Sequence, residues 1–390
     1  QSLGDILMLR GKYDEARISF DRALKLAPDS GARIEGELGE LAFKQGDMET
    51  AIERLERGLE LLGHRVPRLT LTLYLKLSCE AFIQIVHSLL PGLFVGRKTL
   101  PGDEQQLLAV SLYNRLLYAY WFKGGKFPSL WTHLRGMNLA EKYPPTVELA
   151  QAYSIHAPVM NLVGLFDRGI AYAKKSFRIY ESFNDLWGQG QSFHFQGHCL
   201  YAASRYEECI ESCRKAVRRL ERMGDYWEVN VARYHIALSH YRLGNLQAAV
   251  VEAMRMHETG LEIGDILASG GCLDVWVRAA GGQVSPEILQ TELQRPREDY
   301  QASAMLSLAE GTQLFMQGRL DAAADVFDTA YKIAAGAGVK NPYVFPLLSW
   351  RASALRRRAE EITDQSGQDR IKLLNQARKV ARKAVRIART

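Results

Sequence analysis

Residues 195–217 read FQGHCLYAASRYEECIESCRKAV, and residues 235–257 read HIALSHYRLGNLQAAVVEAMRMH. The two stretches align on a short turn followed by a small residue. Ser204-Arg205-Tyr206 with Cys209 in the first matches Gly244-Asn245-Leu246 with Ala249 in the second, 40 residues on. Before each turn stands a pair one helix up, Gln196-Gly197 and Ile236-Ala237. After it small residues recur, as Cys209, Cys213 and Ala216, then Ala249 and Ala253. One period earlier lie Gly164-Leu165-Phe166 with Gly169, Ala173 and Ser176, and one earlier still Gly125-Lys126-Phe127 with Leu130, Leu134 and Met137. A period of this length with helical patterning on both sides of a turn predicts an all-α solenoid of antiparallel helix pairs.

The chain has 390 residues, more than one globular core comfortably serves. A solenoid escapes that limit, because each unit buries its face only on its neighbours. No alternating strand pattern of any length interrupts the helical one. Five cysteines, an odd number, fall on predicted helices and form no spaced framework, which points to reduced thiols in a cytoplasmic protein. The most apolar run, 69–95, contains Lys76, Glu80, His87 and Pro91, so it is rejected as a membrane span. No signal peptide is read at the start. The net charge of +6 is local. From Arg351 to Thr390 there are twelve Lys/Arg and four Asp/Glu, and the remainder carries 38 basic against 40 acidic residues.

Taken in order, Leu3-Gly4, Gly11-Lys12-Tyr13, Ala16, Phe20, Ala23 and Pro28 form a first unit. Leu38-Gly39, Gly46-Asp47-Met48, Ala51, Leu55 and Gly58 form a second. The small residues let the two helices of a pair approach, and Pro28 stops the second helix. This pattern resembles the tetratricopeptide repeat (TPR), which implies a right-handed superhelix and a non-enzymatic binding role. Because Gln1 falls inside a first helix, the sequence reads as a piece of a longer array.

The expected organisation is two regular repeats over 1–64, an inserted long helix and loop over 65–102, and four long units over 103–264. A degenerate pair follows over 265–298, then two C-terminal pairs over 299–390, ending in a truncated array. Pro91-Gly92 and Pro101-Gly102 are read as loop marks, and EEITDQSGQDR as an expanded turn. HRVPRL, the long apolar helix, LFVGRK and LLAVSLYNRLLYAYWF together resemble the TPR region of large bacterial multidomain signalling ATPases. In those proteins an AAA-like or STAND-type module precedes the repeats, and a kinase or cyclase domain lies elsewhere in the chain. The resemblance implies a sensor arm with no ATPase motif of its own.

Four chemistries were weighed against blander readings. FVGRKT and FKGGKF lack the earlier glycine and the preceding strand of a phosphate loop. His194 and His198, like Cys209 and Cys213, are spaced i,i+4 as in a zinc site. In a TPR hairpin the cysteines take small buried positions while the histidines face the groove, so no metal is assigned. Cys199 beside His198 diverges by about 100° on a helix, which excludes a nucleophile pair. Arg378, Arg382 and Arg386 line one helical face, but no aromatic follows Trp350. That stretch reads as a solvated face, or one awaiting another repeat, and a nucleic-acid partner is disfavoured.

The functional surface is therefore expected on the concave side, along the first helix of each pair, the alternative being that long helices cross at an angle and half of these residues merely pack on neighbouring first helices. Transferring the register gives Arg115, Ala119 and Phe122, then Ser154, Pro158 and Asn161. Gln191, His194, His198 and Tyr201 follow, then Tyr234, Leu238, Tyr241 and Arg242. Pro158 should kink its helix. Tyrosine, arginine and amide side chains suit a peptide or protein segment, other domains of the parent chain among them. The Lys/Asn clamp of chaperone-binding TPRs is missing, with only Asn161 and Lys123 near. The alternative is a small-molecule or peptide receptor whose pocket the aromatic and His/Tyr strip lines. Neither reading needs a catalytic residue or a cofactor.

Overall fold

In the computed structural model, residues 2–99, 102–123, 125–297, 299–339, 341–362 and 367–388 are described. Gln1, Pro101 and the centre of the EEITDQSGQDR turn lie outside them. The described residues are helical throughout, apart from turns and connections, and divide into two compact units.

Unit 1 comprises residues 1–243 and 262–265. It opens with α1 (Ser2–Leu9) and α2 (Tyr13–Leu26), then α3 (Gly31–Lys44) and α4 (Met48–Leu61). The long α5 (Thr70–Leu89) and the one-turn α6 (Pro91–Phe94) follow, so Pro91 starts a helical turn where a loop was expected. Three further pairs are α7 (Glu104–Phe122) with α8 (Lys126–Ala140), α9 (Val147–Asn161) with α10 (Phe166–Ser182), and α11 (Leu186–Ala202) with α12 (Tyr206–Met223). The unit ends on α13 (Tyr226–Arg242). α5 packs on α8.

Unit 2 comprises residues 244–261 and 266–390. It contains most of α14 (Leu246–Ile263), then α15 (Ile266–Gly271), α16 (Leu273–Ala279) and α17 (Pro286–Gln294). The pair α18 (Tyr300–Met316) and α19 (Leu320–Gly336) packs on α20 (Pro346–Glu361) and α21 (Gln368–Ala388). Its core gathers Leu308, Leu320, Phe327, Val344, Leu347 and Ala354, all essentially inaccessible.

The helices begin where local chemistry starts them. Asp47, Thr146 and Asp185 accept the backbone N–H three residues on, at 3.0, 3.2 and 2.9 Å. Such caps satisfy donors that the helix cannot. The turn inside each pair needs a left-handed residue, which glycine adopts without penalty. Gly164 supplies it with φ 71°, whereas Ser204 is held at φ 60° in the next repeat.

Packing within a pair explains the small residues. A Cβ on Gly39 would lie 2.6 Å from Leu55, and one on Gly197 would lie 2.3 Å from Cys213 Sγ. In unit 2 a Cβ on Gly311 would sit 2.3 Å from Phe327. The larger side chain therefore rests on the bare backbone of its partner helix. Pro158 falls in the last turn of α9, three residues before its end at Asn161, so little helix remains beyond it.

Gly197→Ala should destabilise the protein by about 1–3 kcal/mol through overpacking. Gly336→Ala, where a Cβ meets nothing within 4 Å, should be neutral or slightly stabilising because glycine is the costlier helical residue. Urea denaturation of both variants tests this, and equal midpoints would refute the packing account.

Candidate functional site

The first helices of successive pairs carry the candidate residues, and unit 1 draws them into a polar and aromatic seam. Asn161 of α9 and His198 of α11 meet at 2.9 Å between Nδ2 and Nδ1. Gln191 Nε2 donates to Glu228 Oε1 at 3.2 Å, and His194 Nδ1 lies 3.4 Å from Glu228 Oε2. His235 of α13 stands against both histidines, its ring centre 5.4 Å from His194 and 5.0 Å from His198. Tyr201 and Tyr234 flank His235 at 6.0 Å each. Arg242 Nε donates to the Tyr201 hydroxyl at 3.4 Å. Tyr241 is half-buried beside it.

The expectation of an open face for the histidines is corrected here. His194 is only 3% exposed and His198 is half-buried, because α9, α11 and α13 approach closely enough for each side chain to reach the next helix. Gln191 and Tyr234 are buried in the same way. Burial holds His198 down to about 3, with the neighbouring His194 adding to the shift. His235 is likewise held well below its usual value by burial and then by the other two histidines. The His198 and His235 rings are neutral at physiological pH.

Arg115 and Phe122 belong to a second cluster, between α3, α7 and α13. Arg115 reaches Glu37 at 3.2 Å and Glu40 at 2.8 Å. Phe122 packs on Phe43, ring centres 5.6 Å apart, and Phe43 also touches Tyr118 and Trp227 at 6.0 and 5.4 Å. Lys44, next in the chain, forms a buried ion pair with Asp225 at 3.2 Å, across 181 residues of sequence. Burial opposes the charge on Lys44, but Asp225 and Glu40 outweigh it and hold its pKa above the ordinary lysine value. Asp225 also accepts the Trp187 indole N–H at 2.9 Å and the Glu228 backbone N–H at 3.3 Å.

The sequence reading missed Lys44, Asp225, Glu228 and His235 as site members. Lys44 and Asp225 look locally like a helix end and a helix cap. His235 lies one 40-residue step beyond Phe195, immediately next to the register that singled out His194. Of the two residues nearest to a clamp, Asn161 is bonded to His198, and Lys123 lies 3.5 Å from Glu49.

The cysteines are placed as packing groups. Cys199, Cys209 and Cys213 are inaccessible, and burial pushes the Cys199 thiol up to about 12. Among the described residues no group of three His, Cys, Asp or Glu is arranged to hold a metal ion, and no helix is long and apolar enough to cross a membrane. Arg378, Arg382 and Arg386 are exposed on α21.

Besides the seam, α5 and α8 border a recess of about 460 Å³ lined by His64, Arg65, Lys76, Glu80, Tyr113 and Arg135.

Residues 1–63 match the tetratricopeptide repeat family model. That stretch carries tetratricopeptide repeats, and the described residues are all-helical, most of them in adjacent antiparallel pairs. Among solved structures it is similar to a Rap protein complexed with competence and sporulation factor, at 11% identity and a TM-score of 0.52, covering 91% of this chain and 99% of that one. It also matches a STAND ATPase with a tetratricopeptide repeat sensor from Pyrococcus horikoshii, at 11% identity and a TM-score of 0.46. That match covers 91% of this chain and 54% of the other. No curated protein sequence matches it.

A buried histidine pair joins α8 to α9. His133 Nε2 and His156 Nδ1 are 2.8 Å apart, so one neutral ring donates and the other accepts. Burial holds His133 at about 4, and it pushes His156 well below its usual value. The unfolded chain protonates histidine near pH 6.5, so below that pH it binds more protons than the folded chain. Stability should therefore be level above about pH 6.5 and fall as the pH drops towards 4. His133 should account for roughly 2 kcal/mol of the loss between pH 7 and pH 5. Urea midpoints across this range, for the wild type and His133→Gln, check the sign, and identical slopes would exclude the pair as the cause.

Proposed function

We propose that this chain is a non-catalytic interaction arm of a bacterial cytoplasmic signalling or regulatory protein. It takes a peptide or protein segment along the first-helix faces of unit 1, and other domains of its parent chain are among the candidates. One observation carries the reading. Tyr118 Oη, Trp227 Nε1, Gln191 Oε1 and His194 Nε2 are buried without a hydrogen-bond partner within the protein. Buried polar atoms are ordinarily paired, and each unpaired one costs on the order of 1–3 kcal/mol. A peptide backbone alternates N–H and C=O, so it supplies partners for donors such as the indole and acceptors such as the amide oxygen. The Rap protein that shares this fold was crystallised with competence and sporulation factor, which supports the fold as a ligand holder.

The recess beside α5 favours a second reading, a small-molecule receptor. Its volume lies within the range of ligand pockets, and Arg65, Lys76 and Arg135 give it a cationic lining partly balanced by Glu80.

Selection of a displayed peptide library on the purified chain should enrich a consensus sequence. By calorimetry the synthetic peptide should bind about tenfold more weakly to Gln191→Ala, which loses its whole side-chain amide, and to Trp227→Phe, which loses the indole N–H. Lys332→Ala, an exposed change in unit 2, should leave binding unaltered. Failure to enrich a peptide, or a peptide indifferent to both seam changes, would reject the peptide reading.

A further inference from the structure

α5 is built inside out. Its buried side is mostly polar, with Glu80, Gln84 and His87 beside Leu73. Glu80 is paired with Arg135 at 3.1 Å and accepts from Asn138 at 2.8 Å, while His87 meets Glu141 at 2.7 Å. Its outward face is apolar. Leu71, Leu75, Phe82, Ile85 and Leu89 are 73, 63, 66, 56 and 73% exposed. A helix on a solvated surface distributes its residues the other way round.

The spacing of the exposed face is informative. Leu71, Leu75, Ser78, Phe82, Ile85 and Leu89 follow steps of four, three, four, three and four, the seam pattern of two packed helices. With Tyr74, also exposed, these side chains present on the order of 800 Å² per copy, about the share that each partner contributes to a standard interface. Patches of this size on a soluble protein mark an interaction site.

The pattern is also its own reverse, centred on position 80. If a second copy lies antiparallel, Leu71 meets Leu89 of the partner subunit, and Leu75 meets Ile85 of the partner subunit. Ser78 then faces Phe82 of the partner subunit, so the one small seam residue receives the one large ring, twice by symmetry. A two-fold contact of this kind requires self-complementarity. The flanking positions Thr72, Tyr74, Cys79, Ala81, Val86 and Ser88 carry no charge of their own, and the Arg168 guanidinium that donates to Ser88 at 2.9 Å sits at one end, away from the two-fold axis.

We infer that α5 is a dimerisation helix, and that two copies of this chain pair antiparallel through Leu71, Leu75, Ser78, Phe82, Ile85 and Leu89. The contact lies on the side of α5 turned away from α8, so it leaves the seam of α9, α11 and α13 uncovered.

Sedimentation of the purified chain over about 1–100 µM should show a monomer of 43.9 kDa converting to a dimer. Phe82→Glu should weaken the dimer by at least about 100-fold, since it buries two unpaired carboxylates per dimer. Its melting temperature should hold, because the ring is exposed in the single chain. Cys79 is the exposed cysteine of the five and lies beside the two-fold axis. A short bismaleimide, adding one thiol at each end, should therefore link two wild-type chains, and Cys79→Ser should abolish the link. This arm stands even if Phe82→Glu fails to fold. A chain that stays monomeric at about 100 µM overturns the inference. So does a dimer indifferent to Phe82→Glu, or one that the cross-linker does not capture. Binding of the monomer to phosphatidylserine vesicles, lost in Phe82→Glu, would overturn it in favour of a lipid surface.

Discussion

Everything in this molecule follows from how closely the two helices of a pair can approach. Leu55 lies over Gly39, Cys213 over Gly197 and Phe327 over Gly311, each where a Cβ would stand well inside contact distance. Interiors packed this tightly yield little to added volume. The pair is therefore a stiff plate, and what varies along the chain is how successive plates meet. That second contact is made chiefly by the second helix of one pair against the first helix of the next, as α10 meets α11 and α12 meets α13, while the first helices also meet one another and engage many of the candidate side chains.

In unit 1 the plates turn far enough for α3 to reach α13. The Lys44–Asp225 pair records the approach, with Phe43, Tyr118, Phe122 and Trp227 packed beside it. Removing one member of a buried ion pair leaves a buried charge uncompensated, at a cost of about 3–5 kcal/mol. Asp225 also caps α13 and holds Trp187, so one carboxylate serves three elements. A ligand entering between α3 and α13 would have to replace these contacts. On the peptide reading the ligand lies instead against α9, α11 and α13, where α11 and α13 hold unpaired polar atoms.

The fold was legible because it depends on local constraints repeated at a fixed step. A small residue at Gly197, a turn at Ser204 and small residues at Cys209 and Cys213 recur one period later, and the packing gives each a reason. The register that picked out Gln191, His194, His198 and Tyr201 also put them on helices that meet. Their burial was not legible, because it depends on the rotation between consecutive pairs, which no single repeat encodes. Lys44–Asp225 and His133–His156 were hidden for the same reason. Each joins residues whose local roles as helix end, cap or helical filler are complete without the other. α5 was recognised as long and apolar, but its orientation was not legible, since hydrophobicity alone does not say which face is turned inward.

The inversion of α5 bears on how the two surfaces of unit 1 differ. Along α9, α11 and α13 the unmatched groups are polar atoms, which favour a partner rich in hydrogen bonds and discriminate by geometry. Along α5 the unmatched groups are aliphatic and aromatic, which favour area and shape over direction. Glu80 explains how one helix serves both needs. By bonding Arg135 and Asn138 on the inner side, it anchors α5 through polar contacts and leaves the leucines, Ile85 and Phe82 for an outside partner. An apolar inner face would have anchored the helix equally well, but the outer face would then have been polar and without a dimer seam. Polar anchoring is thus the condition for an apolar interface on a helix with only one side to spare.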